Sequence, residues 1–522
     1  MKKNIELVLT PQQAFGEPNL LHPLAKKLRV QRDEITFYQI LRRSIDSRQR
    51  MIWVRVQVEV WLHEKYIAED IIPAARQHVH NNSRVIVIGA GPAGLFASIE
   101  LIRQGYKPIL LERGKDVHER KRSIADINIR HTVDANSNFC FGEGGAGTFS
   151  DGKLYTRSTK RGNVRDILKT FVEHGATEDI LIEAHPHIGS DKLPAIIEHM
   201  REHILEAGGE VHFGIMINDI EYSGDRVTAL IDQKGTRHEG QAYILATGHS
   251  ATDIYELLDQ KKIALEFKPF AMGIRVEHPQ LLIDQAQYHT KERSEFLPAA
   301  TYSLVAQAAG RGVFSFCMCP GGIIVPSASG PEQVVVNGMS NSRRNSPFAN
   351  SGIVVSVEAS DFAGIPGDSP LKGLRFQQQI EKLAWLAGGS CQRAPAQRLT
   401  DFLSNKQSQS LPDTSYHPGT VSYPINQVLP EFITSRLKLG FKQFEEKLKG
   451  FITDDAVILG VESRTSSPVR IPRDPEKMHH IQLKNLYPCG EGSGYAGGIV
   501  SSAMDGENAA RYLGESLRGK SI

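Results

Sequence analysis

A chain of 522 residues, 40% hydrophobic and 23% charged, has ordinary globular composition and room for roughly two to four domains. A net charge of +2 excludes a molecule that seeks polyanions with its whole surface, and no apolar run reaches the ~18 residues of a membrane-spanning helix. Five cysteines, an odd number in so long a chain, exclude a disulfide framework and point to a reducing, cytoplasmic setting.

Residues 1–80 read as a small separate α+β module. Glu6 interrupts the first apolar run, so no secretion signal is expected. Residues 5–9 suit a strand and 20–28 a helix. Over 51–62, Ile52, Val54, Val56, Val58, Val60 and Leu62 alternate with Trp53, Arg55, Gln57, Glu59 and Trp61, the period of a half-buried strand. The module holds 13 Lys and Arg against 9 Asp and Glu. A nucleic-acid-touching face is therefore the minor reading beside a plain solvated surface.

Residues 81–250 open on the segment around which the chain is organised, VIVIGAGPAGLFASIELIRQGYKPILLE. The apolar run 85–88 predicts a buried parallel strand. Gly89, Gly91 and Gly94 follow in G-x-G-x-x-G spacing. The first permits a tight turn, the second lets a pyrophosphate approach the backbone, and the third lets the next helix pack close. That helix is expected over 92–104, with its positive end toward the phosphates. A second strand, 108–111, ends in Glu112, placed to accept bonds from ribose hydroxyls. The glycine string alone is weak; inside strand, turn, helix, strand and acid it is a dinucleotide-binding fingerprint.

A charged stretch, 113–130, leads to a glycine-rich loop over 137–157. Gly142, Gly144, Gly145 and Gly147 there offer backbone donors, and Phe139, Phe141 and Phe149 anchor the loop in a core. Helices are expected over 164–173 and 192–207. Between them His185 and His187 stand two apart; no ligand set completes a metal site, so a polar pocket wall is expected and no metal. A further parallel strand is expected over 210–217, a small meander over 227–239, and a strand over 242–248 that ends in small residues. Residues 251–455 form a long insertion. It holds strand-like pieces at 270–276, 323–325 and 333–337, a helix over 369–386, and the run Cys317-Met318-Cys319-Pro320-Gly321-Gly322. Residues 456–522 close the chain with a short strand ending at Gly490 and Glu491. A glycine turn then leads, near Gly498, into a terminal helix.

The opening βαβ unit, the AYILATG strand and the final strand, Gly-Glu and helix together resemble the flavoproteins with two dinucleotide-binding domains. The strings FGEGGAGTFSDGKL, HPHIGSDKL, ATGHSATD, CMCPGG, NGMSNS and PCGEGSGYAGGI resemble, more narrowly, bacterial FAD-dependent dehydrogenases of the NAD(FAD)-utilising type. The resemblance implies an α/β fold: a Rossmann-like FAD-binding domain, an inserted α+β substrate domain and the small N-terminal α+β module. It implies FAD contacts at Gly89, Gly91, Gly94, Glu112, Gly145, Lys153, Ile217, Thr247, Gly248, Gly490, Glu491, Gly498 and Ile499. Position 491 is Glu where many members of the wider superfamily have Asp. No second G-x-G-x-x-G unit is present, so NAD(P)H is expected at most as a transient donor.

The function expected is that of an FAD-dependent oxidoreductase acting on a small-molecule substrate at the interface of core and insertion. The alternative is an FAD-binding protein that acts on or senses nucleic acid through residues 1–80. His187 and Cys319 are the candidate catalytic residues. Phe314, Phe316 and Met318 suggest an apolar setting that raises the pKa of Cys317 and Cys319. The pair is thus expected to be redox-inactive, and the Pro-Gly-Gly turn to serve backbone approach to flavin or substrate.

Overall fold

The computed structural model describes residues 1–16, 19–66, 78–156, 162–362 and 369–519. At its centre is a five-stranded parallel sheet in the order Leu486–Pro488, Ala242–Leu245, Arg84–Ile88, Lys107–Leu111, Glu210–His212. Strands covered on both faces have no polar side to show, which is why 85–88 reads as an unbroken apolar run. Val85 and Val87 face a layer of helices, among them Pro92–Arg103, Leu193–Glu206 and the terminal Ile499–Leu517. Ile86 and Ile88 face the opposite way, onto helix Thr252–Gln260 and a three-stranded meander. The architecture is α/β, with a Rossmann-like nucleotide domain.

The strand expected over 210–217 is divided. Glu210–His212 stays in the parallel sheet, and Ile217–Ser223 begins the meander with Arg226–Asp232 and Arg237–His238. Gly214, at φ +68, turns the chain between them. The charged stretch after Glu112 contains a helix, Val117–Arg130, whose first amides are capped by the Asp116 carboxylate.

The inserted region builds a seven-stranded sheet: Val305–Ala308, Arg311–Cys319, Phe348–Val357, Phe270–Pro279, Val457–Glu462, Ala394–Arg398, Thr420–Ser422. Its pairs are antiparallel except the last. Helix Glu431–Lys447 contributes Ile433, Leu437, Phe441 and Phe444 to the core beneath it. Val457–Glu462 sits inside this sheet, so the insertion runs beyond the boundary at 455 expected from sequence. A fully buried run such as VILGVE looks alike whichever sheet it joins.

The N-terminal module is a three-stranded antiparallel sheet with Trp53–Leu62 between Lys2–Leu9 and Ile35–Asp46. Val54, Val56, Val58, Val60 and Leu62 are buried on one face, as the alternation required. Ile35–Asp46 had no clean alternation to reveal it. It carries the contact to the nucleotide domain: the Arg43 amide donates to the Ile182 carbonyl at 2.7 Å, and the Ala184 amide donates to the Arg43 carbonyl at 2.9 Å. No helix among the described residues is long and apolar enough to cross a membrane.

The two helices at the heart of the nucleotide domain meet backbone to backbone. A Cβ at Gly94 would lie 1.9 Å from the Gly89 carbonyl oxygen, and one on Gly506 would lie 2.0 Å from that of Ala93. Neither neighbour is a side chain that can swing away. Gly506→Val is therefore expected to destabilise the fold by the ~1–3 kcal/mol of an overpacked core or more. Thermal unfolding followed by circular dichroism checks this; an unchanged melting temperature would show that the helices have room to part.

Candidate functional site

A cavity of about 390 Å³ lies where the parallel sheet, the glycine-rich loop and the inserted sheet meet. Its wall begins at the end of the first core strand with Ile88, Gly89 and Gly91. Gly89 has φ +99, and a Cβ there would meet the Ala246 carbonyl oxygen at 2.5 Å, so the turn needs glycine. Gly91 caps helix Pro92–Arg103 with ordinary φ and no side-chain bond, which leaves the helix's positive end open. A Cβ there would meet only Gly145 Cα, at 3.9 Å.

Glu112 is buried and already holds three backbone donors. Its carboxylate accepts from the amides of Ala90 at 2.8 Å, Gly114 at 2.9 Å and Gly142 at 3.0 Å. A carboxylate has about four acceptor positions, so roughly one remains for a ribose hydroxyl. Besides facing the cavity, the residue ties the phosphate turn to the glycine-rich loop.

Arg120 does the same from the other side. Its guanidinium is fully buried and donates to the carbonyls of Asn138 at 2.8 Å, Phe139 at 3.0 Å and Glu143 at 2.8 Å. Burial pushes its pKa down to about 10, with Glu112 opposing the shift. The loop it holds places Gly145, Ala146 and Gly147 on the cavity wall.

The C-terminal helix supplies a second open N-terminus. Gly498 is its cap residue, without a side-chain bond, and Gly497, Gly498, Ile499 and Ser502 line the cavity. Before it, the Gly490 amide donates to Asp505 Oδ2 at 2.8 Å, and Arg473 grips the same carboxylate at 2.9 and 2.7 Å. Nearby, His249 Nδ1 lies 3.3 Å from Glu491 Oε1, while His249 Nε2 is buried and has no hydrogen-bond partner among the described residues.

The inserted sheet contributes Phe316 and Cys317, and a two-stranded sheet of the insertion contributes Asn337. Phe316 pairs with Gly352 and Cys319 with Asn350, so Cys317 and Met318 together face the single residue Ser351 in a bulge. Cys317 takes φ +46, a left-handed conformation that costs a non-glycine residue roughly 1–2 kcal/mol. The bulge turns Cys317 onto the cavity wall, partly exposed, and leaves Cys319 completely buried behind it. Lys153 Nζ lies 3.7 Å from Cys317 Sγ and 3.6 Å from Cys319 Sγ. Arg275, buried and paired with Glu462 at 2.7 Å, donates to the Cys317 carbonyl at 2.7 Å and approaches Cys319 Sγ at 3.6 Å.

This corrects the apolar setting expected for the pair. The hydrogen bond from Cys319, then the cations Lys153 and Arg275, outweigh burial and hold Cys317 well below the usual thiol range. Cys319, donor to Cys317 and buried, is pushed well above it. Burial works against the charge on Lys153 as well, but Cys317, Cys319 and Asp151 outweigh it and keep the amine above the usual lysine range.

Of the residues the sequence singled out, Gly89, Gly91, Glu112, Gly145, Lys153, Ile217, Thr247, Gly248, Gly490, Glu491, Gly498 and Ile499 share the cavity wall. Gly94 stands away from it, wedged against Gly89 and Val87. His187 does not line it either. It pairs through its backbone with Lys153 and lies 3.2 Å, through Nε2, from the Ser342 carbonyl oxygen; burial and Arg344 hold its pKa low. The Pro-Gly-Gly turn is also elsewhere. Gly321 needs glycine because a Cβ would strike the Arg344 carbonyl at 1.8 Å, not because a ligand passes.

The sequence reading passed over Arg464. Its guanidinium meets Glu381 at 2.9 and 2.8 Å and Ser329 at 2.7 Å, and it lies 3.3 Å from Ser250, joining the insertion to the nucleotide domain at the cavity wall. The ion pair spans 83 residues of chain, and no local pattern announces it.

The match to known families agrees with this geometry. An FAD binding domain model matches residues 82–135, a model described as FAD-dependent protein, C-terminal domain-like, matches 269–465, and a domain of unknown function matches 1–61. An uncharacterized protein of Clostridium beijerinckii is 38% identical over 511 residues, covering 94% of each chain. The chain belongs to this family of FAD-dependent proteins.

Among solved structures, tetracycline destructase Tet(51) covers 84% of this chain and 82% of its own, at 11% identity and a TM-score of 0.33. The flavin-dependent brominase Bmp2 covers 84% and 80%, at 13% identity and 0.35. A geranylgeranyl bacteriochlorophyll reductase-like protein of Thermoplasma acidophilum covers 84% and 79%, at 12% and 0.35. Likeness at that level carries no argument about reaction or substrate.

FAD is the cofactor of this chain, and the cavity fits it. Two helix N-termini without side-chain caps face one space, the direction of a Gly91 Cβ is open, and the unpartnered His249 Nε2 is a buried polar atom in want of a ligand.

Arg120→Met is expected to release the glycine-rich loop, because three buried carbonyls each lose a partner at ~1–3 kcal/mol. Limited proteolysis should then cut within 137–147 and the purified protein should carry less FAD. A resistant loop with full FAD content would show that Glu112 and the phenylalanines suffice to hold it.

Proposed function

We propose that this chain is an FAD-dependent oxidoreductase whose substrate meets the flavin between the nucleotide domain and the inserted sheet. The observation that carries the reading is the joint wall. Gly89, Glu112 and Gly498 of the nucleotide domain line the same cavity as Phe316, Cys317 and Asn337 of the insertion. Sites favour such domain interfaces.

In this reading Gly91 and the first helix end receive the pyrophosphate, and the last acceptor position of Glu112 takes a ribose hydroxyl. Thr247, Gly248, Gly490 and Glu491 flank the ribityl chain, with His249 beside Glu491. Gly498 and Ile499 would present the N-terminus of the terminal helix to the pyrimidine side of the flavin, and Lys153, on the same wall, would offer an ammonium. Bound FAD supplies hydride or electron transfer chemistry. A helix N-terminus favours nearby negative charge by ~0.3–1 kcal/mol when exposed and up to ~2 kcal/mol when partly buried, enough to tune a potential but not to be the whole catalyst. NAD(P)H serves, in this reading, as a transient donor without a built-in domain.

Acid precipitation is expected to release a yellow supernatant whose cofactor has the mass of FAD. Colour retained in the pellet, or FMN in the supernatant, would contradict non-covalent FAD. Gly91→Val should fold normally, since the Cβ direction is open, yet lose FAD; Gly94→Val should lose the fold itself. Equal FAD content in wild type and Gly91→Val would place the cofactor elsewhere. Under anaerobic conditions NADH or NADPH should bleach the flavin, and an artificial acceptor should restore it over many turnovers. Failure to cycle with any reductant and acceptor would leave a flavin carrier without turnover.

A further inference from the structure

We propose that Cys317 is a nucleophilic thiolate on the cavity wall, built to bond covalently to an activated alkene, a C=C conjugated to a carbonyl. For its occupant the inference rests on the reading of the cavity as the flavin and substrate site. The sulfur itself is argued from geometry alone.

Four features converge on it. The bulge between Phe316 and Cys319 breaks the pairing with Phe348–Val357 at this residue and turns its side chain onto the cavity wall, at φ +46. Lys153 Nζ, itself on the wall, lies 3.7 Å from the sulfur. Cys319, the next thiol along the strand, donates from the buried side to the Cys317 carbonyl at 3.3 Å. Arg275 closes the cluster from the adjacent part of the sheet through the Cys317 carbonyl at 2.7 Å.

The charges around the thiol can be followed element by element. Lys153 and Asp151 come from the end of the glycine-rich loop, with Asp151 opposing the thiolate and itself drawn off by Arg344 at 2.7 Å. Arg275 comes from Phe270–Pro279 and its partner Glu462 from Val457–Glu462. Cys319 lies on the thiol's own strand. Lys153 and Arg275 favour the thiolate, and Asp151 and Glu462 are each tied to an arginine. A thiolate that is accessible and held by fixed cations is the reactive form of cysteine.

The class of ligand follows from this chemistry. A thiolate is a soft nucleophile and prefers carbon polarised through a π system. The ammonium beside it suits the carbonyl oxygen of the same group, and Phe316 and Tyr155 offer flat apolar wall. In the step, Cys317 Sγ forms a bond to the β-carbon, the π pair moves toward the carbonyl oxygen, and Lys153 or water delivers one proton to the α-carbon. No electron is gained or lost overall, and the reverse step expels the alkene intact.

The test uses the FAD-loaded enzyme. N-ethylmaleimide, an activated alkene, and iodoacetamide are reacted across pH 5.5–9 with peptide mass mapping. Cys140 and Cys391, the other partly exposed thiols, serve as internal references. Cys317 is expected to react first, with a midpoint below the ~8.5 of a free thiol. Lys153→Met should raise that midpoint, Lys153→Arg should keep it low, and maleimide addition should shift the flavin absorption in wild type but not in Cys317→Ser. A Cys317 that stays unmodified until the chain unfolds, or that titrates like the reference thiols in wild type, would overturn the proposal. FAD content is measured separately on the same samples. A chain that lacks FAD but alkylates Cys317 at low pH would sink the flavin-site reading and leave the thiolate standing.

Discussion

The structure depends on two helices that approach each other at backbone distance. Pro92–Arg103 and Ile499–Leu517 are separated by some four hundred residues of chain, yet Gly506 sits where a single methyl would meet the Ala93 carbonyl. Because they pack so closely, their N-termini open onto one cavity. One helix end alone would be an unremarkable anion site. Two in one space define a path for a ligand that carries a pyrophosphate at one point and gains negative charge at another. The inserted sheet can then be large, because it is attached to a frame that closes without it.

That frame is held by buried charges that act on backbone. Glu112 collects three amides, Arg120 three carbonyls, and Asp505 the Gly490 amide together with Arg473. Each clasp fixes a glycine-rich turn that has no side chains of its own to pack. Glycine supplies the close approach and the left-handed dihedrals, and loses the most conformational freedom on folding in return. A charged hydrogen bond worth ~1.5–3 kcal/mol offsets part of that loss at each turn. The acid expected to serve ribose therefore also serves the chain.

What the sequence made legible follows the range of the forces. The first βαβ unit is a local pattern, with strand period, glycine spacing and terminal acid all inside 30 residues, and it was readable in full. Trp53–Leu62 was readable because one face is buried and the other is not. Its neighbour Ile35–Asp46, mostly half-buried along its length, left no alternation to find. The strand Val457–Glu462 went unread, and its membership of the inserted sheet is decided by Phe270–Pro279 and Ala394–Arg398 far upstream. Arg120 and Arg464 were invisible for the same reason: a lone arginine in a charged stretch gives no hint that its partners are buried carbonyls or a distant glutamate.

Cys317 shows how a local reading fails at a site. Its sequence neighbours Phe314, Phe316 and Met318 argue for an apolar surrounding, and in a regular strand they would provide one. One extra residue in the ladder changes the side to which the cysteine points. From there its electrostatics are set by Lys153, more than 160 positions earlier, and Arg275, on the far side of Phe348–Val357 in the sheet. Cys319, named from sequence as a candidate catalytic residue, becomes the buried donor. The strain of a left-handed cysteine is tolerated because Arg275 bonds the Cys317 carbonyl, so the same guanidinium that fixes the backbone also biases the sulfur. A mutation that relaxed the bulge would not merely move a side chain; it would exchange a charged, cavity-facing thiol for a neutral core residue.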